Sequence, residues 1–131
     1  MNVVDSSGWL EFFADGPNAS FFGGPIGRVG ELIVPTISLY EVFKRVLQQR
    51  DESQALEAVA LMEQGRVVEL SSILALRAAG LSNDLKLPMA DSIMLATARE
   101  YAATLWTEDA DFEGMQGVQY VRASTQVGTT G

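Results

Sequence analysis

The sequence predicts an α/β domain in three layers, a parallel central sheet with helices on both faces. Two patterns predict it. Short runs of Val, Ile and Leu recur along the chain, and stretches of near-3.6-residue apolar periodicity separate them. A parallel sheet covered on both faces needs such uniformly apolar strands. A third observation sets the scale: 131 residues, 47% hydrophobic and 20% charged, suit one domain with a core of its own. No repeat or Pro/Gly/Ser linker divides the chain. The domain is expected over residues 1–123, with 124–131 as a C-terminal tail.

Asn2 to Asp5 reads as a first buried strand ending on an acid. Ser6-Ser7 then offers a cap for a helix carrying Trp9, Leu10, Phe12 and Phe13. Asp15 to Gly30 is the least regular stretch, with Phe21-Phe22 inside it as a short helix or a staple onto the core. Leu32-Ile33-Val34 is a second strand, stopped by Pro35. In the next helix Leu39, Val42, Phe43, Val46 and Leu47 form an apolar stripe against Tyr40, Glu41, Lys44, Arg45 and Gln48. Asp51 or Ser53 caps a further helix that stops at Gly65. Val67 to Leu70 is a third strand, and Ser71-Ser72 opens a helix running toward Leu85. Pro88 occupies a helix's first turn, with Met89 to Ala103 following. Thr104 to Thr107 and Gln119 to Val121 complete the strands.

Composition removes whole classes of chemistry. With no cysteine and no histidine there is no disulfide framework, no thiolate or imidazole zinc site, no Ser-His-Asp triad and no cysteine nucleophile. Catalysis would have to run on carboxylates, hydroxyls, lysine, arginine or a bound metal. Nine basic against 17 acidic residues, net −8, argue against a protein that coats nucleic acid through its charge. No signal-peptide pattern follows Met1, and no apolar run approaches the ~20 residues that span a bilayer. The expected compartment is the cytoplasm, with no membrane partner.

Most acids read as solvating charge, but a few stand where a site would form. Asp5 closes the first strand, and Asp109 and Asp111 follow the fourth. Open α/β sheets bind ligands beyond the carboxyl ends of their strands. Glu41 and Asp91 lie on strongly apolar helices shortly after Pro35 and Pro88. The helix dipole favours a carboxylate in a first turn by roughly 0.3–1 kcal/mol, so capping alone explains Asp91. It explains Glu41 poorly, because Glu41 lies beyond the first turn. If these acids gather they cannot all stay ionised without a cation or a raised pKa. An oxygen-only donor set then points to a hard cation, Mg²⁺ or Mn²⁺.

The chain resembles the PIN-domain nucleases, and within them the VapC-type toxins of toxin–antitoxin pairs. The resemblance rests on Val3-Val4-Asp5-Ser6-Ser7, Ser38-Leu39-Tyr40-Glu41, the run Leu87-Pro88-Met89-Ala90-Asp91-Ser92 continuing to Ala98, and Thr107-Glu108-Asp109-Ala110-Asp111-Phe112. Each piece alone is weak, but the four come in the family's order across most of the chain. The resemblance implies a PIN-like α/β sandwich hydrolysing RNA phosphodiesters with Mg²⁺ or Mn²⁺. It makes Asp5, Glu41, Asp91 and Asp109 the catalytic and metal-binding acids, with Asp111 an auxiliary ligand. Thr107 would orient a metal-bound water, and Ser6 is a weaker candidate of that kind. No covalent intermediate is implied, which agrees with the missing His and Cys. The implied partners are an RNA substrate, a cognate antitoxin protein and a second copy in a homodimer. Phe12, Phe13, Phe21, Phe22, Tyr40 and Phe43 could supply apolar contact surface, although core packing is the commoner use of each.

Charge is the main objection, and two divalent ions would halve the acidic excess. Lys44, Arg45, Lys86 and Arg99 remain to meet RNA, so affinity would be weak and set by RNA shape. A phosphatase of the haloacid-dehalogenase type also places an Asp after its first strand but wants another Asp at the position held by Ser7. The alternative of a different class is a non-catalytic PIN-like protein-binding domain. Four intact acids argue against it, and such a domain would tolerate Asp5→Asn and Asp91→Asn.

Overall fold

Neighbouring residues of the first strand point into different cores. Val3 packs on one side of the sheet and Val4 on the other, and Ile33 separates from Leu32 and Val34 in the same way. That period-2 alternation of wholly apolar residues is what makes three layers. The computed structural model describes residues 1–123; the tail expected over 124–131 lies outside them.

The strands are β1 (Asn2–Val4), β2 (Leu32–Pro35), β3 (Arg66–Val68), β4 (Thr104–Thr107) and β5 (Val118–Tyr120). They form one sheet in the order β3-β2-β1-β4-β5, and every neighbouring pair is parallel. The helices are α1 (Ser6–Phe13), α2 (Ala19–Gly27), α3 (Thr36–Gln49), α4 (Glu52–Met62), α5 (Ser72–Leu85) and α6 (Met89–Glu100). Residues from α1 to α4 cover one face around Trp9, Phe22, Val42 and Met62; α5 and α6 cover the other around Leu74, Met94 and Leu95. The chain winds outward from β1 through β2 to β3, then crosses back so that β4 pairs with β1 on its free side. Between β1 and β4 the winding reverses, which leaves a crevice at their carboxyl ends.

Several boundaries differ from the sequence reading, each for a physical reason. The irregular stretch contains a full helix, α2, despite Gly23, Gly24 and an internal Pro25. Burial of Phe22 and Ile26 under the sheet outweighs its poor propensity. Gly8 permits this packing, since a Cβ there would lie 2.5 Å from the Phe22 ring. Helix α1 begins at Ser6 with Asp5 as its N-cap, so Ser6 and Ser7 lie inside its first turn. Strand β3 starts at Arg66 and ends at Val68, leaving Leu70 exposed. Strand β5 is shifted one residue toward the N-terminus of the expected Gln119–Val121.

Pro88 is the N-cap of α6 and lies just outside its first turn. The helix stops at Glu100, three residues short of Ala103. Ala102 takes a left-handed φ of 51° while Ala102 N–H and Ala103 N–H donate to the carbonyls of Arg99 and Ala98. These bonds form a Schellman closure with alanine where glycine is usual, so the sequence carries no stop signal. Asp51 accepts a hydrogen bond from Gln54 N–H at 2.8 Å, which makes it, of the two candidates, the cap of α4. Among the described residues no helix is long and apolar enough to cross a membrane.

Helix α6 is buried on every side. Ser92 through Ala98 are all inaccessible, enclosed by the sheet, α5 and α3. Its two buried hydroxyls donate back to their own helix, Ser92 to the Met89 carbonyl and Thr97 to the Ile93 carbonyl. No polar group is therefore left unpaired by that burial.

Candidate active site

Asp5 follows β1 directly, and its backbone N–H continues the ladder by donating to the Trp106 carbonyl at 2.9 Å. Asp109 lies two residues beyond β4, where its carboxylate accepts from Asp111 N–H at 2.9 Å and turns the chain into the short helical turn Ala110–Phe112. Asp91 sits in the first turn of α6, aimed at the same end of the sheet. The parallel pairing of β1 with β4 brings the first two together, and the buried α6 delivers the third. One carboxylate oxygen from each of Asp5, Asp91 and Asp109 lies within 4.8 Å of the others.

Thr107 joins two of these acids. It is fully buried, donates its hydroxyl proton to Asp5 Oδ2 at 2.8 Å, and accepts from Asp109 N–H at 2.9 Å. Its proton is donated to Asp5, so it orients that carboxylate and fixes the turn that carries Asp109. The sequence showed a hydroxyl before the last acids; only the strand pairing shows what it holds.

Glu41, in the second turn of α3, opens onto the same cleft of about 410 Å³ but outside the three-acid cluster. There its carboxylate accepts the Ser6 hydroxyl at 2.6 Å. Ser6 is thus a partner of Glu41. Asp111 stands apart on the exposed turn, with its backbone rather than its carboxylate engaged with Asp109. Of the cations considered as RNA contacts, Lys44 and Arg45 line the cleft, whereas Arg99 borders a separate depression beside the Arg77–Glu100 ion pair and Lys86 closes α5. Ser7 and Leu10 also line the cleft, which the sequence, offering Ser7 as a cap and Leu10 as one of the helix's apolar residues, did not show.

The electrostatics are those of an uncompensated cluster. Among the described residues no lysine or arginine pairs with any of the three acids; the ion pairs are Arg28–Glu31 and Arg77–Glu100. Two carboxylates at such a separation repel by about 3 kcal/mol at an effective dielectric near 20. Burial pushes Asp5 above the ordinary carboxylate range, with Asp109 and Glu41 adding to the rise and the Thr107 hydrogen bond opposing it. Asp91 is pushed up to about 7, first by burial and then by the charges of Asp109 and Asp5. Such a set takes up either protons or a cation. Its oxygen-only donors, close spacing and lack of neutralising side chains fit a hard divalent ion such as Mg²⁺ or Mn²⁺.

A doubly wound parallel sheet with carboxylates gathered at its switch point defines a class of α/β domain with an acidic site at the carboxyl ends of its strands. The sequence pattern of the PIN domain matches residues 3–118, and the chain belongs to that family. No curated protein matches the sequence. Solved structures share the fold: a toxin–antitoxin complex from Klebsiella pneumoniae superposes with a TM-score of 0.76 at 22% identity, covering 91% of this chain and 96% of that one. VapC20 of Mycobacterium tuberculosis, a toxin that cleaves the sarcin–ricin loop, gives 0.72 at 15% identity over 88% and 95%. VapBC-1 from nontypeable Haemophilus influenzae gives 0.70 at 16% identity over 92% and 96%.

Proposed function

We propose that residues 1–123 form a metal-dependent endoribonuclease that acts as the toxin of a toxin–antitoxin pair. The observation that carries this reading is the convergence of Asp5, Asp91 and Asp109 at the β1–β4 switch point of a PIN domain. Asp5, Asp91 and Asp109 would hold Mg²⁺ or Mn²⁺, with Glu41 joining from α3 and Asp111 acting as an outer acid. A bound divalent ion supplies activation of water and stabilisation of the charge that develops on a phosphoryl group. The chain's own contribution is orientation: Thr107 fixes the Asp5 carboxylate, Ser6 holds Glu41 at the cleft wall, and α6 anchors Asp91.

An antitoxin partner enters the reading through the fold shared with toxin–antitoxin complexes, and an RNA substrate through the fold shared with VapC20; a second copy of the chain enters through the family resemblance alone. The test is cleavage of a mixed, structured RNA pool by the partner-free protein in Mg²⁺, in Mn²⁺ and in EDTA. Discrete products are expected with metal only, and Asp91→Asn should lower the rate by at least ~10²-fold, the scale of losing one group that stabilises transition-state charge. If calorimetry finds no metal binding and no RNA is cut, the domain is a protein-binding PIN fold instead.

A further inference from the structure

The chain has 11 aromatic side chains, and all but one are buried or half-buried. The exception is Tyr40, 60% exposed, on the wall of the acid-lined cleft. It precedes Glu41 on α3, and one turn further on the same face come Lys44 and Arg45, which line the cleft as well. The Lys44 ammonium lies 5.8 Å from the centre of the Tyr40 ring, the outer range of a cation–π contact. A planar uncharged face and two exposed cations therefore stand together, one helical turn deep, at the edge of the proposed scissile position.

We propose that Tyr40, Lys44 and Arg45 form a nucleotide subsite in which an unpaired RNA base stacks on the Tyr40 ring and its flanking phosphate meets Lys44 and Arg45. The inference rests on the nuclease reading and adds to it a class of substrate, RNA with an unstacked base beside the cut. The charge balance of −8 favours such a subsite, because backbone attraction is weak in so acidic a protein. Stacking needs no net charge and tolerates the neighbouring carboxylates. A base inside a duplex has both faces covered by its neighbours, so a ring on a cleft wall can accept only a base from a single strand, loop or bulge. Besides the ring, the cleft is lined by carboxylates, hydroxyls, the Gln48 amide and two cations, with Leu10 as its aliphatic side chain, a mostly polar surface that suits a nucleotide better than the apolar face of a protein helix.

The test uses the full chain carrying Asp91→Asn, so that bound RNA stays intact, and a short single-stranded oligoribonucleotide with one 2-aminopurine. Binding should quench the fluorophore. Adding Tyr40→Ala should weaken binding about tenfold and abolish the quench, while Tyr40→Phe, which keeps the ring, should restore both. Lys44→Gln should weaken binding of all sequences alike and lower the slope of log affinity against log salt by about one. The same sequence as a duplex should compete about tenfold less well than the single strand. Unchanged affinity and quench in Tyr40→Ala, or equal competition by the duplex, would overturn the proposal. So would a Tyr40→Ala protein that binds RNA normally but no longer binds a protein partner. Metal-dependent cleavage by the parent chain, measured alongside, keeps the two readings apart. A parent that cuts RNA while binding is indifferent to Tyr40 loses the subsite alone. A parent that neither binds metal nor cuts loses the nuclease reading and the subsite with it.

Discussion

Helices α3 and α6 each bring an acid to the cleft, yet they are built on opposite principles. From Ser92 to Ala98 every residue of α6 is buried, so the helix is gripped on all sides and Asp91 projects from its mouth. Helix α3 buries only Ser38 and Val42 fully and keeps a polar face, with Tyr40, Glu41, Lys44 and Arg45, open to the cleft. The gripped helix holds a carboxylate in place against the repulsion of its neighbours. The open helix costs less to alter and is the one free to differ in what it contacts. In the proposed reading, fixed chemistry and adjustable recognition thus come from different layers of one domain.

The contrast can be broken most directly through packing. Met94→Ala in α6 should destabilise the protein by roughly 2–5 kcal/mol, the range for emptying a buried Met site, whereas Leu47→Ala on the exposed side of α3 should stay within about 0.5 kcal/mol. Urea titrations of the two variants give the answer; equal losses would erase the distinction between the helices. Next in size is Thr107→Val, which removes the shared hydroxyl and leaves the Asp5 carboxylate and Asp109 N–H without that partner. A loss of about 1–3 kcal/mol is expected, with metal affinity by calorimetry falling about 10–100-fold. An unaltered metal affinity would mean that Thr107 serves the fold alone.

The smallest effect concerns charge. The Asp91 carboxyl titrates near 7 in the folded protein against an ordinary value of 3.8, so between those values the native state holds a proton that the unfolded chain has released. Its contribution to stability is then present below about pH 4 and is lost as pH rises through about 7. In EDTA, Asp91→Asn should therefore stabilise the protein at pH 8 and lose most of that advantage by pH 4. Because Asp91 is only half-buried, solvent screening keeps the gain to about 1 kcal/mol, roughly 3–6 °C in Tm. Thermal melts at the two pH values check it, and a variant less stable than the parent at pH 8 would show that the cluster is not self-repelling.

Much of this was legible in the chain itself. Short apolar runs and period-3.6 patterning marked the order and type of strands and most helices, and the strand-end rule singled out Asp5, Asp109 and Asp111, of which the first two join the cluster. Helix α2 was legible only as a short helix or a staple at Phe21-Phe22, because glycine and proline argue against the full helix that the burial of Phe22 and Ile26 sustains. The end of α6 was illegible because alanine stands in its left-handed closing position. Among the acids, spacing along the sequence could nominate Glu41 beside Asp91 but could not rank them. Asp91 joins the tight cluster, while Glu41 is held at the cleft wall by Ser6.

Patterning along a chain determines which face of each element is buried, and so the sequence alone determined an α/β sandwich with acids at one end of its sheet and a chemistry without His or Cys. Which carboxylates meet depends on strand order and on which helix is enclosed, and both are set by contacts between separate elements, about a hundred positions apart in the case of β1 and β4. The pairing of β1 with β4 put Thr107 between Asp5 and Asp109, and the packing of α6 under α3 set Asp91 opposite the open face that carries Tyr40. Distances of that kind arise only when the layers close.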